Sequence, residues 1–170
     1  NYQGNGLGTI PHDEAIGRLV LGRDGRIEAH FGLDEMGQGL IPSIHAAVAD
    51  RLGCAREDVR AVIGDTAATP DSGSTTASRG GYVVWKATEL TAPPFGGKLL
   101  AKAADLLGRD AADLKIIPGG IADAATNSQV PLISFAALAD GLKHGETIAE
   151  EAEFAFPKSD YTKGNARFIF

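Results

Sequence analysis

Two short runs near the start of the chain, Arg18-Leu19-Val20-Leu21 and Arg26-Ile27-Glu28-Ala29-His30-Phe31, flank Arg23-Asp24-Gly25. Asp-Gly between alternating runs predicts a β-hairpin, because the turn needs a residue that accepts positive φ. The period then changes. Leu40, Ile41, Ile44, Ala47, Val48 and Leu52 recur at helical spacing, with Pro42 in the first turn and Gly53 as the stop. Val59 to Ile63 reads as a short strand closed by Gly64-Asp65-Thr66. Beyond a polar loop, a second helix is predicted from Ala77 or Ser78 past Trp85 to Leu90. Pro93-Pro94 breaks or kinks it, and a further helix runs through Leu99 and Leu106 to Gly108.

Leu114 to Ile117 and Ile121 to Ala124 then pair around Pro118-Gly119-Gly120, Ser134 caps a short helix through Leu142, and Thr147 to Phe156 alternates as a strand. The pattern predicts an α+β fold: a two-layer sandwich with a mixed β-sheet and helices packed on one face. A linker-like break near Gly108 to Ala112 divides it into residues 1–108 and a smaller β-α-β extension, 109–170. The opening, with Gly4, Gly6 and Gly8 before Pro11, is a loop or an irregular strand. The chain starts without Met and stops in the strand-like Arg167-Phe168-Ile169-Phe170, which reads as a piece of a longer polypeptide.

Composition narrows the function. With 44% apolar and 22% charged residues, this is ordinary globular sequence, and no apolar run could cross a bilayer. A net charge of -6 argues against nucleic-acid binding over a broad surface. Any bound anion must therefore be held locally, by backbone N–H groups or one or two basic side chains. Cys54 is the only cysteine, which excludes an internal disulfide or a Cys-rich metal or Fe–S site within the chain and fits a reducing, cytoplasmic setting. His12, His30, His45 and His144 lack metal-ligand spacing.

Two loops carry candidate chemistry. In Glu35-Met36-Gly37-Gln38-Gly39 two glycines bracket an amide side chain just before a helix. Glycine lets a ligand approach the backbone, and Gln both donates and accepts. In Asp71-Ser72-Gly73-Ser74-Thr75-Thr76-Ala77-Ser78-Arg79-Gly80-Gly81 hydroxyls and small residues precede a helix, whose free N–H groups and dipole favour an anion. Each loop alone also reads as structure: a turn with an exposed Gln, and a Ser/Thr loop ending in a cap. Both nevertheless follow strands and precede helices, which places them at the carboxyl ends of strands, where ligands bind in α/β layers.

Glu35 to Gly39, then Gly64-Asp65-Thr66, Pro70 and Thr76 to Arg79, in that order, resemble the molybdenum hydroxylases: xanthine dehydrogenases, aldehyde oxidases and their relatives. The match is close over residues 26 to 90. The resemblance implies a fragment of the large subunit that binds a molybdopterin cofactor, in its plain or cytosine dinucleotide form, with residues 1–108 as the cofactor-binding part. It assigns cofactor contacts to Met36, Gly37, Gln38, Thr76, Ala77, Ser78, Arg79 and Gly80. It implies hydroxylation of a purine, another N-heterocycle or an aldehyde, with water as the oxygen source. The expected partners are the rest of the large subunit and Fe–S and FAD domains or subunits, with neither nucleic acid nor membrane involved.

No catalytic residue or metal ligand is assigned. The family's glutamate base sits in a Gly-Glu-Pro context, whereas Gly145-Glu146 is followed by Thr147 and comes too early. The fragment alone is accordingly expected to be inactive and to retain no cofactor. Phe95-Gly96-Gly97-Lys98 spells part of an upstream family motif but is out of order. The alternatives are a non-catalytic binding or scaffold module derived from the same fold, and a nucleotide-binding α/β domain.

Overall fold

A computed structural model describes residues 14–76 and 78–156. The glycine-rich opening, His12, Ala77 and the closing Arg167–Phe170 run lie outside the described residues.

The Asp-Gly hairpin forms as its turn chemistry predicts. β1 (Glu14–Leu21) and β2 (Ile27–Phe31) are antiparallel, with Leu21 opposite Ile27 and Gly17 opposite Phe31. Gly25 takes φ +82°, and the Asp24 carboxylate accepts the Arg26 N–H (3.1 Å). α1 (Leu40–Leu52) stops at Gly53, whose φ of 78° turns its N–H onto Ala49 O (2.9 Å). β3 (Val59–Val62) then lies parallel to β2.

α2 (Gly80–Leu107) is one continuous helix of 28 residues, which corrects the predicted break at Pro93-Pro94. Both prolines face solvent, so water can reach the Glu89 and Leu90 carbonyls that lose an N–H partner. The next turn holds Ala92, Phe95, Gly96 and Leu99 in the core, and that packing overrides the local rule. Restoring the donors should therefore stabilise the protein. A Pro93→Ala/Pro94→Ala variant is expected to melt at higher temperature, with a gain of at most about 3 kcal/mol per site. A lower melting temperature would mean the prolines serve the fold.

After α2 come β4 (Leu114–Ile117), β5 (Gly120–Asp123), β6 (Ile133–Ser134), α3 (Phe135–Asp140) and β7 (Ala149–Ala155). Ser134 caps α3 as expected, its Oγ accepting from Ala137 N (3.1 Å). The strands form two sheets, ordered β3-β2-β1-β7 and β4-β5-β6. β7, from beyond Gly108, pairs antiparallel with β1 and is the outer strand of the first sheet.

The helices cover one face of that sheet, and alternation decides which. Ala15, Leu19, Ile27, Ala29 and Phe31 are buried, meeting Ile44 and Val48 of α1 and Val83, Ala87 and Leu99 of α2 in one core. Each large apolar side chain buried there contributes about 1.5–3 kcal/mol. Gly17 lets α2 approach β1: a Cβ at that position would lie 2.5 Å from Ala87 Cβ. The other face carries a polar network in which Arg60 pairs with Asp24 (2.8 Å) and Glu28, and His30 with Glu28 (2.9 Å). Leu114, Ile121, Phe135 and Leu138 of the later elements extend the same core.

Candidate functional site

β2 and β3 run parallel and side by side, so the chain segments leaving them start from the same end of the sheet. One leads into α1 and the other into α2. The two loops singled out in the sequence meet there directly: Asp34 N–H donates to Thr75 Oγ1 (3.0 Å) and Gly32 N–H to Ser72 Oγ (2.8 Å).

The first loop is organised by Glu35, whose role sequence reasoning missed. Its Oε1 accepts from Gly37 N (2.8 Å) and Gly39 N (3.1 Å), and its Oε2 from Ile41 N (3.1 Å). Gly37 and Gly39 take φ of +98° and +81°, which turns their amides toward the carboxylate. The N-terminus of α1 is thus filled by the chain's own carboxylate. An acidic residue just ahead of a Gly-x-Gly helix start was the available signal. The Ile41, Gly37 and Gly39 N–H groups hold the Glu35 carboxyl below the ordinary glutamate range. Its contribution to stability is therefore complete above that range and is lost as pH falls through the depressed value. Glu35→Gln should lower the melting temperature at neutral pH and flatten its acid dependence. Parallel melting curves for the two proteins from neutral pH into acid would remove this role.

Gln38 closes the same loop. Its Nε2 donates to Asp34 O (2.7 Å), and its Oε1 accepts the Met36 N–H (2.6 Å). One N–H and one lone pair remain for a ligand. Met36, Gly37 and Gln38 are all exposed at the loop's outer edge.

In the second loop Ser72 is fully buried, and its hydroxyl also donates to Ile16 O (2.5 Å), pinning the loop to β1. Thr76 and Gly80 are half-buried, and Ser78 is exposed with φ 56°, a left-handed conformation unusual for a side-chain-bearing residue. Arg79 points the other way. It is 6% exposed, and its Nη1 donates to Ser72 O (2.7 Å) and Ser74 O (3.1 Å). α2 begins with no side-chain cap among the described residues and no acidic residue in its first turn.

The structure thus brings Met36, Gly37, Gln38, Thr76, Ser78 and Gly80 to one end of the sheet, with Arg79 beneath the second loop. The candidate set offers amides, hydroxyls and a carboxamide but no group that exchanges a proton near neutral pH. Such groups can hold a ligand. Glu146 lies elsewhere, paired with Lys102 (2.9 Å). Phe95 to Lys98 are interior residues of α2 rather than a loop. Burial raises the Cys54 thiol to about 12, with Asp58 adding to the shift, so it stays protonated. No cluster of metal-ligating side chains occurs among the described residues, and no helix there is long and apolar enough to cross a membrane. An open groove of about 500 Å³ between α1, α2 and β4, lined in part by Arg51, Ala92, Gly96 and Lys115, shares no residue with either loop.

Residues 2–170 match a family described as the molybdopterin cofactor-binding domain. A probable xanthine dehydrogenase subunit of Bacillus subtilis (strain 168) is 40% identical over 167 residues, 98% of this chain and 22% of that protein. A putative xanthine dehydrogenase molybdenum-binding subunit of Escherichia coli (strain K12) is 34% identical over 131 residues, 76% of this chain and 17% of that protein. The chain therefore spans about a fifth of the length of these relatives. Among solved structures, quinoline 2-oxidoreductase of Pseudomonas putida 86 shares the fold with a TM-score of 0.63 at 21% identity, over 88% of this chain and 20% of that one. On the match along nearly its whole length, the chain belongs to the molybdopterin cofactor-binding domain family, in the lineage of the xanthine dehydrogenase-type molybdenum hydroxylases.

Proposed function

We propose that the two loops form part of the molybdopterin site of a larger hydroxylase acting on a purine, another N-heterocycle or an aldehyde, with water as the oxygen source. The observation that carries this reading is the direct bond between the loops, Asp34 N–H to Thr75 Oγ1 at 3.0 Å. It sets an amide reader and a helix start side by side. The residues present suit the group. Glu35 already occupies the start of α1, whereas the start of α2 has no side-chain cap among the described residues and no acidic residue in its first turn, which suits an anionic ligand on its first N–H groups.

In this reading Gln38 turns its remaining N–H and lone pair to the polar edge of the pterin, with Met36 and Gly37 alongside. The hydroxyls and amides of Thr76, Ala77, Ser78 and Gly80 hold the end nearer the metal. The bound cofactor, in the plain or cytosine dinucleotide form, supplies the oxidation chemistry. The chain's own residues bind and orient it. The proton-accepting glutamate, the Fe–S and FAD centres and the substrate pocket belong to the rest of the enzyme, so this segment by itself is inactive. The xanthine dehydrogenase relatives favour a purine among the candidate substrates.

The test uses the parent enzyme from a host that makes the cofactor. Gln38→Ala should leave the fold intact and weaken cofactor retention by about 1–3 kcal/mol, the cost of an unmatched polar partner. Molybdenum occupancy equal to wild type after extended dialysis would remove Gln38 from the site. Absence of both molybdenum and pterin from the wild-type enzyme would end the reading altogether.

A further inference from the structure

We propose that Arg79 is a positioning residue: it holds from beneath the surface that the second loop turns to the cofactor, and Gly73 provides the gap in which its guanidinium sits. The inference rests on the proposed function, in which this loop faces the cofactor. It replaces a direct Arg79 contact with an indirect one.

The geometry is specific. Nη1 bonds the carbonyls of Ser72 (2.7 Å) and Ser74 (3.1 Å), the two residues that flank Gly73. Nη2 reaches Glu14 O at the start of β1 (3.5 Å), and the guanidinium carbon lies 4.7 Å from the centre of the Phe156 ring. A planar fork makes such a set where a point-charged ammonium does not. Gly73 has φ +72°, and a Cβ there would lie 2.7 Å from Nη1 and 3.1 Å from Nη2. A side chain at position 73 and the guanidinium therefore compete for one volume.

The constraint passes from bond to bond. Arg79 fixes the Ser72 and Ser74 carbonyls, and the Ser72 hydroxyl fixes Ile16 O and Gly32 N–H. The loop, the sheet and the root of the first loop are thereby tied together. Ser78, immediately before Arg79 in the chain, keeps its left-handed φ of 56° and its exposure while Arg79 is drawn inward. A strained conformation of this kind persists only when its surroundings over-determine it. The inward pull on Arg79 provides that constraint.

The experiment compares Arg79→Ala, Gly73→Ala and the double variant in the parent enzyme. Two quantities are measured: pterin and molybdenum retained after dialysis, and amide hydrogen exchange over residues 72–79 in enzyme made without cofactor. Each single change should lower retention about tenfold or more, the equivalent of a charged hydrogen bond. Each should also speed exchange in the cofactor-free enzyme. The double variant should be no worse than the more affected single one, because both changes undo the same contact. Ethylguanidinium should restore Arg79→Ala but not Gly73→Ala, and ethylamine should restore neither. Additive losses with unchanged exchange would overturn the inference and make Arg79 a direct ligand. If Arg79→Ala does not fold, Gly73→Ala decides alone, and wild-type exchange and retention in it would equally overturn the inference. If the wild-type parent holds no cofactor, the functional reading fails, while the exchange data still decide whether Arg79 and Gly73 act as one unit.

Discussion

Replacing Phe95 with alanine is expected to cost about 3–5 kcal/mol, a large share of the roughly 5–15 kcal/mol that holds a domain together. Phe95 is fully buried and directly follows Pro93-Pro94 in α2. At that point the helix lacks two backbone donors, so side-chain packing carries its continuity. The neighbouring Gly96 brings the helix onto Ile116 and Leu52, where a Cβ would stand 3.4 and 3.5 Å from their methyl groups. Emptying the Phe95 site removes the contact that holds this stretch against the core. Urea unfolding should show a lower midpoint with an unchanged slope. A midpoint equal to wild type would mean that the helix is held by something other than its buried face.

Gly32→Ala should strike stability and ligand retention together. A Cβ on Gly32 would lie 2.3 Å from Pro70 O and 3.1 Å from Ser72 N, and neither backbone atom can swing aside as a side-chain tip would. Overpacking of this kind costs about 1–3 kcal/mol. Relief requires the segment at 70–72 to move away from the root of the first loop, which breaks the Gly32 N–H to Ser72 Oγ bond. The parent enzyme carrying Gly32→Ala should therefore lose cofactor even at temperatures where it stays folded. Full retention with a normal melting temperature would show that the loops need not touch.

Much of this was readable where the signal is local. Asp24-Gly25 names its own hairpin, and the spacing from Leu40 to Leu52 with Gly53 behind it names its own helix. The hairpin around Pro118-Gly119-Gly120 followed in the same way, with its second strand, expected at 121–124, running from Gly120 to Asp123. The proline pair misled because its local penalty is real but smaller than the burial of Ala92, Phe95 and Leu99 around it. The candidate loops were found through residue type and order. The state of their side chains was not, since nothing next to Arg79 along the chain says that it folds back under Gly73. Glu35 lay between these cases, its Gly-x-Gly context visible but its three amide partners not. The pairing of β7 with β1 has no local signature at all.

That pairing has a consequence for how the polypeptide acquires its shape during synthesis. β1 meets β2 through a tight turn, an event of microseconds once both have left the ribosome. Its other neighbour, β7, is translated only after both long helices and the second sheet. Until then one border of β1 stays open to stray strands, the exposure that invites aggregation in nascent chains. High contact order should make the docking of β7 the slow step in forming this sheet.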